Sequence, residues 1–153
     1  MYAELRDRLS QHATLLLVFA ALGAGPAHAD APPLRFVVTE LTVEDTVTKL
    51  VWQRVLDPNA FEHAPAVTYC AELELAGKRF RLPTVHELTT LIDHGSSTVG
   101  SKTAFPDVPA DARFWTSTRI ADDGSDLGFW TVDAIGPRKY WQGAVRVRCV
   151  AER

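Results

Sequence analysis

Ala144-Val-Arg-Val-Arg-Cys-Val150 decides how this chain is read. Val145, Val147 and Cys149 alternate with Arg146 and Arg148, the period of two that sends successive side chains to opposite faces of a strand. Cys149 therefore shares the apolar face. The other cysteine, Cys70, lies in a stretch of different period. From about Ala60, the residues Ala66, Tyr69, Cys70 and Leu73 recur at three- and four-residue steps, which places them on one face of a helix. Pro65 falls in its first turn, where a missing N–H costs little, and Gly77 is its expected C-terminal stop. An inward Cys on a helix and an inward Cys on the last strand suit a buried bridge between the two. Such a bridge closes a loop of roughly 80 residues, worth about 4 to 5 kcal/mol in the chain-entropy model. A thiol nucleophile and a metal pair are the competing readings, although the close spacing of Cys–Cys zinc sites is absent.

Working outward from this pair, the remaining elements fall into order. Arg35 to Thr39 is rich in strand formers, Val43 to Asp45 leads into a turn, and Leu50-Val-Trp-Gln53 is the next strand. Asp57-Pro-Asn59 is turn chemistry. Phe80-Arg-Leu-Pro83 is an extended link, because a residue before proline avoids the helical region. Thr84 with Glu87 makes a capping box. Val85, Leu88, Leu91 and Ile92 are the expected buried stripe of a second helix that Gly95 ends. Gly95 to Thr103 and Phe105 to Pro109 read as loops. Arg113–Thr118, Gly128–Asp133, Arg138–Gln142 and Ala144–Val150 read as four strands. Phe-Trp-Thr occurs at 114 and again at 129, pointing to neighbouring strands with similar packing. Trp52, Trp115 and Trp130 are expected in the core. The sum is an α+β domain: two helices packed on a mostly antiparallel sheet, with long loops and one disulfide.

The first 29 residues stand apart. A polar start holds Arg6 and Arg8, offset by Glu4 and Asp7. An apolar run from Leu15 to Leu22 follows, and then Ala27-His-Ala29. A charged start, a short apolar stretch and a small-x-small site define a cleavable export signal. The run is too short to span a bilayer, so no membrane span is expected in the mature protein. The expected organisation is a signal peptide at 1–29, a lead-in at 30–39 and one domain at 40–153. An exported setting, periplasmic or secreted, is oxidising and favours the disulfide. The whole chain has 153 residues and a net charge of -3, with no broad basic field for nucleic acid.

The ordered set of motifs resembles a known family. Thr48, Leu50, Trp52 and Gln53 are followed by Tyr69-Cys70, Leu75-Ala-Gly77, Arg81-Leu-Pro-Thr84 with Glu87-Leu88, Ala104-Phe-Pro106, Phe114-Trp-Thr-Ser-Thr118 and Val147-Arg-Cys-Val150. Over about residues 40 to 151 this is similar to the bacterial domain family named after the C-terminal domain of the Legionella collagen-like adhesin. Phe61 and Phe80 stand where the family more often has Trp, and both keep an aromatic ring. The resemblance implies a C-type-lectin-like fold with a helix-to-last-strand disulfide. By analogy it also implies an adhesive or carbohydrate-binding module, since the namesake binds sulfated polysaccharides. The collagen-like Gly-x-y stretch of that adhesin is absent here.

The residues themselves narrow the chemistry. Calcium-dependent lectins carry Glu-Pro-Asn or Gln-Pro-Asp and then Trp-Asn-Asp, and none of these occurs. Binding is therefore expected to be independent of calcium, and no cofactor is implied. Asp122, Asp123 and Asp126 are the weak cation candidates; the ordinary reading of such a run is a solvated turn. Arg138-Lys-Tyr-Trp141 combines cations and rings as an acidic glycan requires, making Arg138, Lys139, Tyr140 and Trp141 the candidate ligand residues. The bland alternative is an edge strand blunted by charge, with Arg146 and Arg148 paired to acids across the sheet. Enzymatic signals are poor. His86-Glu87 lacks the second His of a zinc-protease motif, no Gly-x-Ser-x-Gly occurs, and His63, His86 and His94 have no ligand spacing. His94 is placed at the C-terminal end of the second helix. Sulfatase-activating enzymes of the same broad fold use a reactive cysteine pair, whereas both cysteines here are committed to the bridge. The chain reads as a non-catalytic exported module for an extracellular glycan or surface protein; the alternative is a structural or assembly protein of the cell envelope.

Overall fold

The computed structural model describes residues 35–95, 97–121, 128–140 and 142–153. The expected signal at 1–29, the lead-in up to residue 34, the acidic candidates Asp122, Asp123 and Asp126, and Trp141 lie outside the described residues. In chain order the elements are β1 (Phe36–Val38), β2 (Thr42–Asp45), β3 (Leu50–Gln53), α1 (His63–Glu72), β4 (Glu74–Leu75), β5 (Lys78–Arg79), α2 (Val85–Thr89), β6 (Ile92–Asp93), β7 (Thr98–Val99), β8 (Phe114–Arg119), β9 (Phe129–Asp133), β10 (Gly136–Tyr140) and β11 (Val150–Glu152). Among the described residues the strands make a four-stranded sheet β1-β2-β3-β11, a three-stranded sheet β10-β9-β8, and the small hairpins β4-β5 and β6-β7. Every pairing between named strands is antiparallel.

This overturns the expected C-type-lectin-like arrangement of two helices packed on a mostly antiparallel sheet. Four small sheets dominate, and both helices end early for local reasons. Helix α1 stops at Glu72, and Leu73 is already extended. Its apparent stop, Gly77, instead sits with Ala76 in the two-residue turn joining β4 to β5; both have positive φ, 52° and 71°. That is the conformation a tight hairpin requires. Helix α2 spans five residues, Val85–Thr89. Its start matches the expected capping box: Glu87 N–H donates to the Thr84 hydroxyl at 3.2 Å, and Thr84 N–H to the Glu87 carboxylate at 2.7 Å. Its end comes at two threonines whose hydroxyls donate back to the Val85 and Glu87 carbonyls, a local bond that competes with helix continuation. Ile92 and Asp93 then pair with Val99 and Thr98. Leu88 and Leu91 are buried with Val85 and Ile92 packed against them, so the apolar spacing is kept without a long helix. His94 lies exposed beyond β6 and not at a helix end.

Residues 144–150 also depart from a continuous strand. The segment links four pieces of backbone in turn. Val145 exchanges hydrogen bonds with Phe61; Arg146 receives Trp115 N–H and donates to Arg113; Cys149 carbonyl accepts from Gln53; Val150 exchanges bonds with Arg81. Only from Val150 does it join β3 as a ladder, with Val150 opposite Trp52. Cys149 lies where it meets α1, and the Cys70–Cys149 disulfide is present, with both residues fully buried. The bridge closes the thiol-nucleophile and metal-pair readings.

Two apolar clusters fill the interior. One gathers Val43, Trp52, Leu88, Leu91, Phe105, Phe114 and Val132; the other gathers Ala66, Cys70, Phe80, Trp115, Val147 and Cys149. Arg148 is buried too, against the expectation of a surface arginine paired across the sheet. Its guanidinium carbon lies 4.3 Å from the centre of the Phe105 ring, and its Nη1 donates to the Gln53 and Arg54 carbonyls at 2.7 and 3.0 Å. Asp107 is the nearest carboxylate, 3.7 Å from Nη2. Because the chain changes partner at almost every residue here, a period-two pattern does not hold its side chains to two faces.

Candidate functional site

The three-stranded sheet carries the candidate residues. Asp133 ends β9, and after two intervening residues Gly136 begins β10, opposite Asp133 in the register. An Asp followed three residues on by Gly is the ordinary pattern of a type I turn. The Asp133 carboxylate braces that turn by accepting the Ile135 and Gly136 N–H groups at 2.9 and 3.2 Å. Among the described residues strand β10 is an outer strand of its sheet. It starts two residues before the expected Arg138 and stops at Tyr140.

The three described candidates on β10 do different work. Arg138 is exposed and donates from Nε to Asp133 at 2.5 Å. Lys139 pairs across the sheet with Trp130, its ammonium 5.9 Å from the ring centre. Trp130 is thus half-buried under a cation, not in the core as expected, whereas Trp52 and Trp115 are buried. Tyr140 is half-buried, packed edge-on to Trp115 with ring centres 5.4 Å apart. It supports the neighbouring side chains and does not stand as an open platform. Trp141, Asp122, Asp123 and Asp126 lie outside the described residues.

The two Phe-Trp-Thr tripeptides are on neighbouring strands, but their packing differs. Trp115 stands opposite Thr131, and Phe114 opposite Val132. Phe114 and Trp115 are buried while Phe129 and Trp130 are only half-buried. The offset puts Trp115, Phe129 and Tyr140 on one face, where α1 adds His63. The imidazole stacks on Phe129 with ring centres 3.3 Å apart, and its Nε2–H donates to the Thr116 carbonyl at 2.9 Å. Burial holds its pKa below the usual histidine value, and the nearby Arg119 charge pushes the same way.

Sequence patterns missed three residues of this region. Arg113 places its guanidinium carbon 5.3 Å from the Tyr140 ring centre and its Nη2 3.8 Å from Asp133. Arg119 stands 5.6 Å from the Phe129 ring centre. Asp133 joins the two arginines 113 and 138 at one carboxylate. Burial pushes the Asp133 carboxyl up, but the Ile135 amide, Arg138 and the Gly136 amide outweigh it and hold it below the ordinary carboxylate range. The Asp-x-x-Gly turn was the signal that could have found Asp133. Nothing in the one-dimensional pattern marks Arg113, which reaches the site only because β8 pairs with β9.

Among the described residues, no three His, Cys, Asp or Glu side chains are grouped to hold a metal ion. No described helix is long and apolar enough to cross a membrane. The buried disulfide is compatible with an exported protein.

The model of the Lcl C-terminal domain matches residues 41–151. The chain belongs to the Lcl C-terminal domain family. This Lcl C-terminal domain begins at the Leu41 turn into β2 and ends in β11, so it includes both cysteines and the whole three-stranded sheet. No curated protein and no solved structure matches the chain.

Proposed function

We propose that this protein is an exported, non-catalytic binding module that takes an acidic glycan without calcium. The observation that carries the reading is the outer strand β10. It presents Arg138 and Lys139 to solvent beside half-buried aromatic rings, with Arg113 stacked on Tyr140. Cations set over aromatic faces match a ligand that offers both negative groups and apolar sugar faces. Among the described residues Asp133 is the only carboxylate on the three strands of this sheet. A binding role also fits the shifted titratable groups, which are spent on structure: Asp45 on Arg35, Glu87 on Arg81, and His63 on a backbone carbonyl.

Screening the purified, disulfide-bonded protein on an array of neutral, carboxylated and sulfated glycans, with calcium or with chelator, tests this. Hits confined to acidic glycans and indifferent to chelator support the reading. Binding abolished by chelator and restored by calcium refutes its calcium independence, and a blank array from folded protein refutes glycan binding.

A second observation favours the structural or assembly alternative. Among the described residues strand β1 is an edge of the larger sheet, and Val37, Val38, Leu41 and Val55 stand exposed near it. Arg54 N–H bonds the Leu41 carbonyl, which brings Val55 to the same end. Exposed apolar side chains at a sheet edge are a common seat for protein contacts. A blank array combined with self-association abolished by Val37→Lys would establish that alternative.

A further inference from the structure

We propose that Arg113 and Arg138, held in register by Asp133, form a subsite for one oxyanion group of an acidic polysaccharide, a sulfate or a carboxylate. The subsite rests on the glycan-binding reading and assigns it two residues, Arg113 and Asp133, from outside the β10 motif.

Three separate anchors fix the geometry. The Asp133 Oδ1 is held by two turn amides, so its Oδ2 has a set direction. Arg138 Nε reaches that oxygen at 2.5 Å, and Arg113 Nη2 stands 3.8 Å from the same atom. Arg113 arrives from the residue before β8, and its guanidinium lies over Tyr140. Tyr140 packs edge-on against Trp115, and its hydroxyl lies close to Gly143. At φ +111°, a Cβ on Gly143 would stand 2.8 Å from the Tyr140 hydroxyl, so only glycine leaves the ring its seat.

The charges favour an anion. Two guanidiniums against one carboxylate leave one positive charge at the turn. The remaining N–H groups of both arginines make no hydrogen bond within the described residues, and the side chains are 38% and 45% exposed. A guanidinium presents paired N–H groups in a plane, which matches two oxygens of a sulfate or carboxylate. Two guanidiniums brought to one oxygen can therefore grip one such group from two sides. Asp133 is a positioning residue: it gathers the cations before the ligand arrives. An ordinary surface ion pair would lack the ring under Arg113 and would leave ligand affinity unmoved.

The test uses the purified full-length, disulfide-bonded protein with three probes: dextran sulfate, polygalacturonate and uncharged dextran. The expected result is binding to one or both charged polymers and none to dextran; the polymer preferred separates a sulfate from a carboxylate. Arg113→Gln and Arg138→Gln should each weaken that binding at least five-fold. Arg113→Lys, which keeps the charge but not the planar fork, should recover only part of it. Arg79→Gln, an exposed arginine on β5, should change binding less than two-fold. Thermal unfolding of each variant separates loss of affinity from loss of fold, and Arg113→Lys serves if Arg113→Gln fails to fold. Wild-type protein that ignores both charged polymers overturns the glycan reading and the subsite with it. Wild-type binding that Arg113→Gln or Arg113→Lys leaves intact, or that Arg79→Gln weakens equally, overturns the subsite alone.

Discussion

Replacing Asp107 by Asn removes the only charge that faces the buried Arg148 guanidinium among the described residues. Burial pushes the Arg148 pKa down to about 10, with Asp107 opposing, so the group stays charged at neutral pH. Two backbone carbonyls take its Nη1, but Nε and Nη2 have no hydrogen-bond partner among the described residues. Removing one member of a fully buried pair costs about 3 to 5 kcal/mol. Asp107 is 31% exposed and 3.7 Å from Nη2, beyond hydrogen-bonding reach, so solvent screening brings the expected loss to about 2 kcal/mol. Asn keeps an oxygen to accept the Leu56 N–H that Asp107 now binds at 2.6 Å, which isolates the charge. In Arg148→Met, a side chain of similar length fills the site between Phe105 and Phe114 without a charge to neutralise. Asp107→Asn made in that background should then cost less than about 1 kcal/mol, leaving a coupling of about 1 to 2 kcal/mol. Urea unfolding of the four proteins at pH 7, disulfide intact, reads the cycle directly. Equal losses in the two backgrounds would refute the idea that Asp107 acts through Arg148.

Other consequences follow from features of the same fold. Cys70→Ala/Cys149→Ala should lose about 4 to 5 kcal/mol by the entropy of a loop of this length, read as a lower urea midpoint. Thr84→Ala removes the hydroxyl that caps α2 and should cost about 1 kcal/mol, measured by thermal unfolding. Asp45 and Glu87, like Asp133, are pushed up by burial but held below the ordinary carboxylate range by stronger partners: Arg35 with the Val47 and Thr48 amides, and Arg81 with Thr84. Their contribution is complete above the ordinary range, about pH 4, and is lost as pH falls through the lowered folded-state values. An acid titration followed by tryptophan fluorescence should therefore show stability flat near neutrality and falling below about pH 4; Asp45→Asn should flatten that fall.

Where local chemistry decided the structure, it was legible. Leu50-Val-Trp-Gln53 has four buried side chains in a row and forms β3 over those residues. The Thr84 and Glu87 box starts α2 because both halves of the bond are written three residues apart. Helical spacing at Leu91 and Ile92 misled, since a turn followed by a strand buries the same two side chains. Gly77 misled because a glycine after a helical stretch serves a cap and a hairpin turn equally well. Arg148 was invisible because its burial depends on Phe105 and Asp107, some forty residues away and in a loop without periodic pattern. The β10 cations were legible as a cluster, but their partner Arg113 was not: it comes alongside only through the pairing of β8 with β9.

The segment from Val145 to Glu152 also sets an order of events. It closes four separate contacts, with Phe61, β8, β3 and Arg81, and carries one half of the disulfide. A chain emerging from the ribosome or from a membrane pore delivers these residues after all the pieces they join. Until then the main sheet lacks β11 and Cys70 has no partner. The domain therefore cannot complete itself piece by piece during synthesis. Its larger sheet and its disulfide both wait for these last residues, so a chain halted before Val145 lacks β11 and leaves Cys70 unbridged.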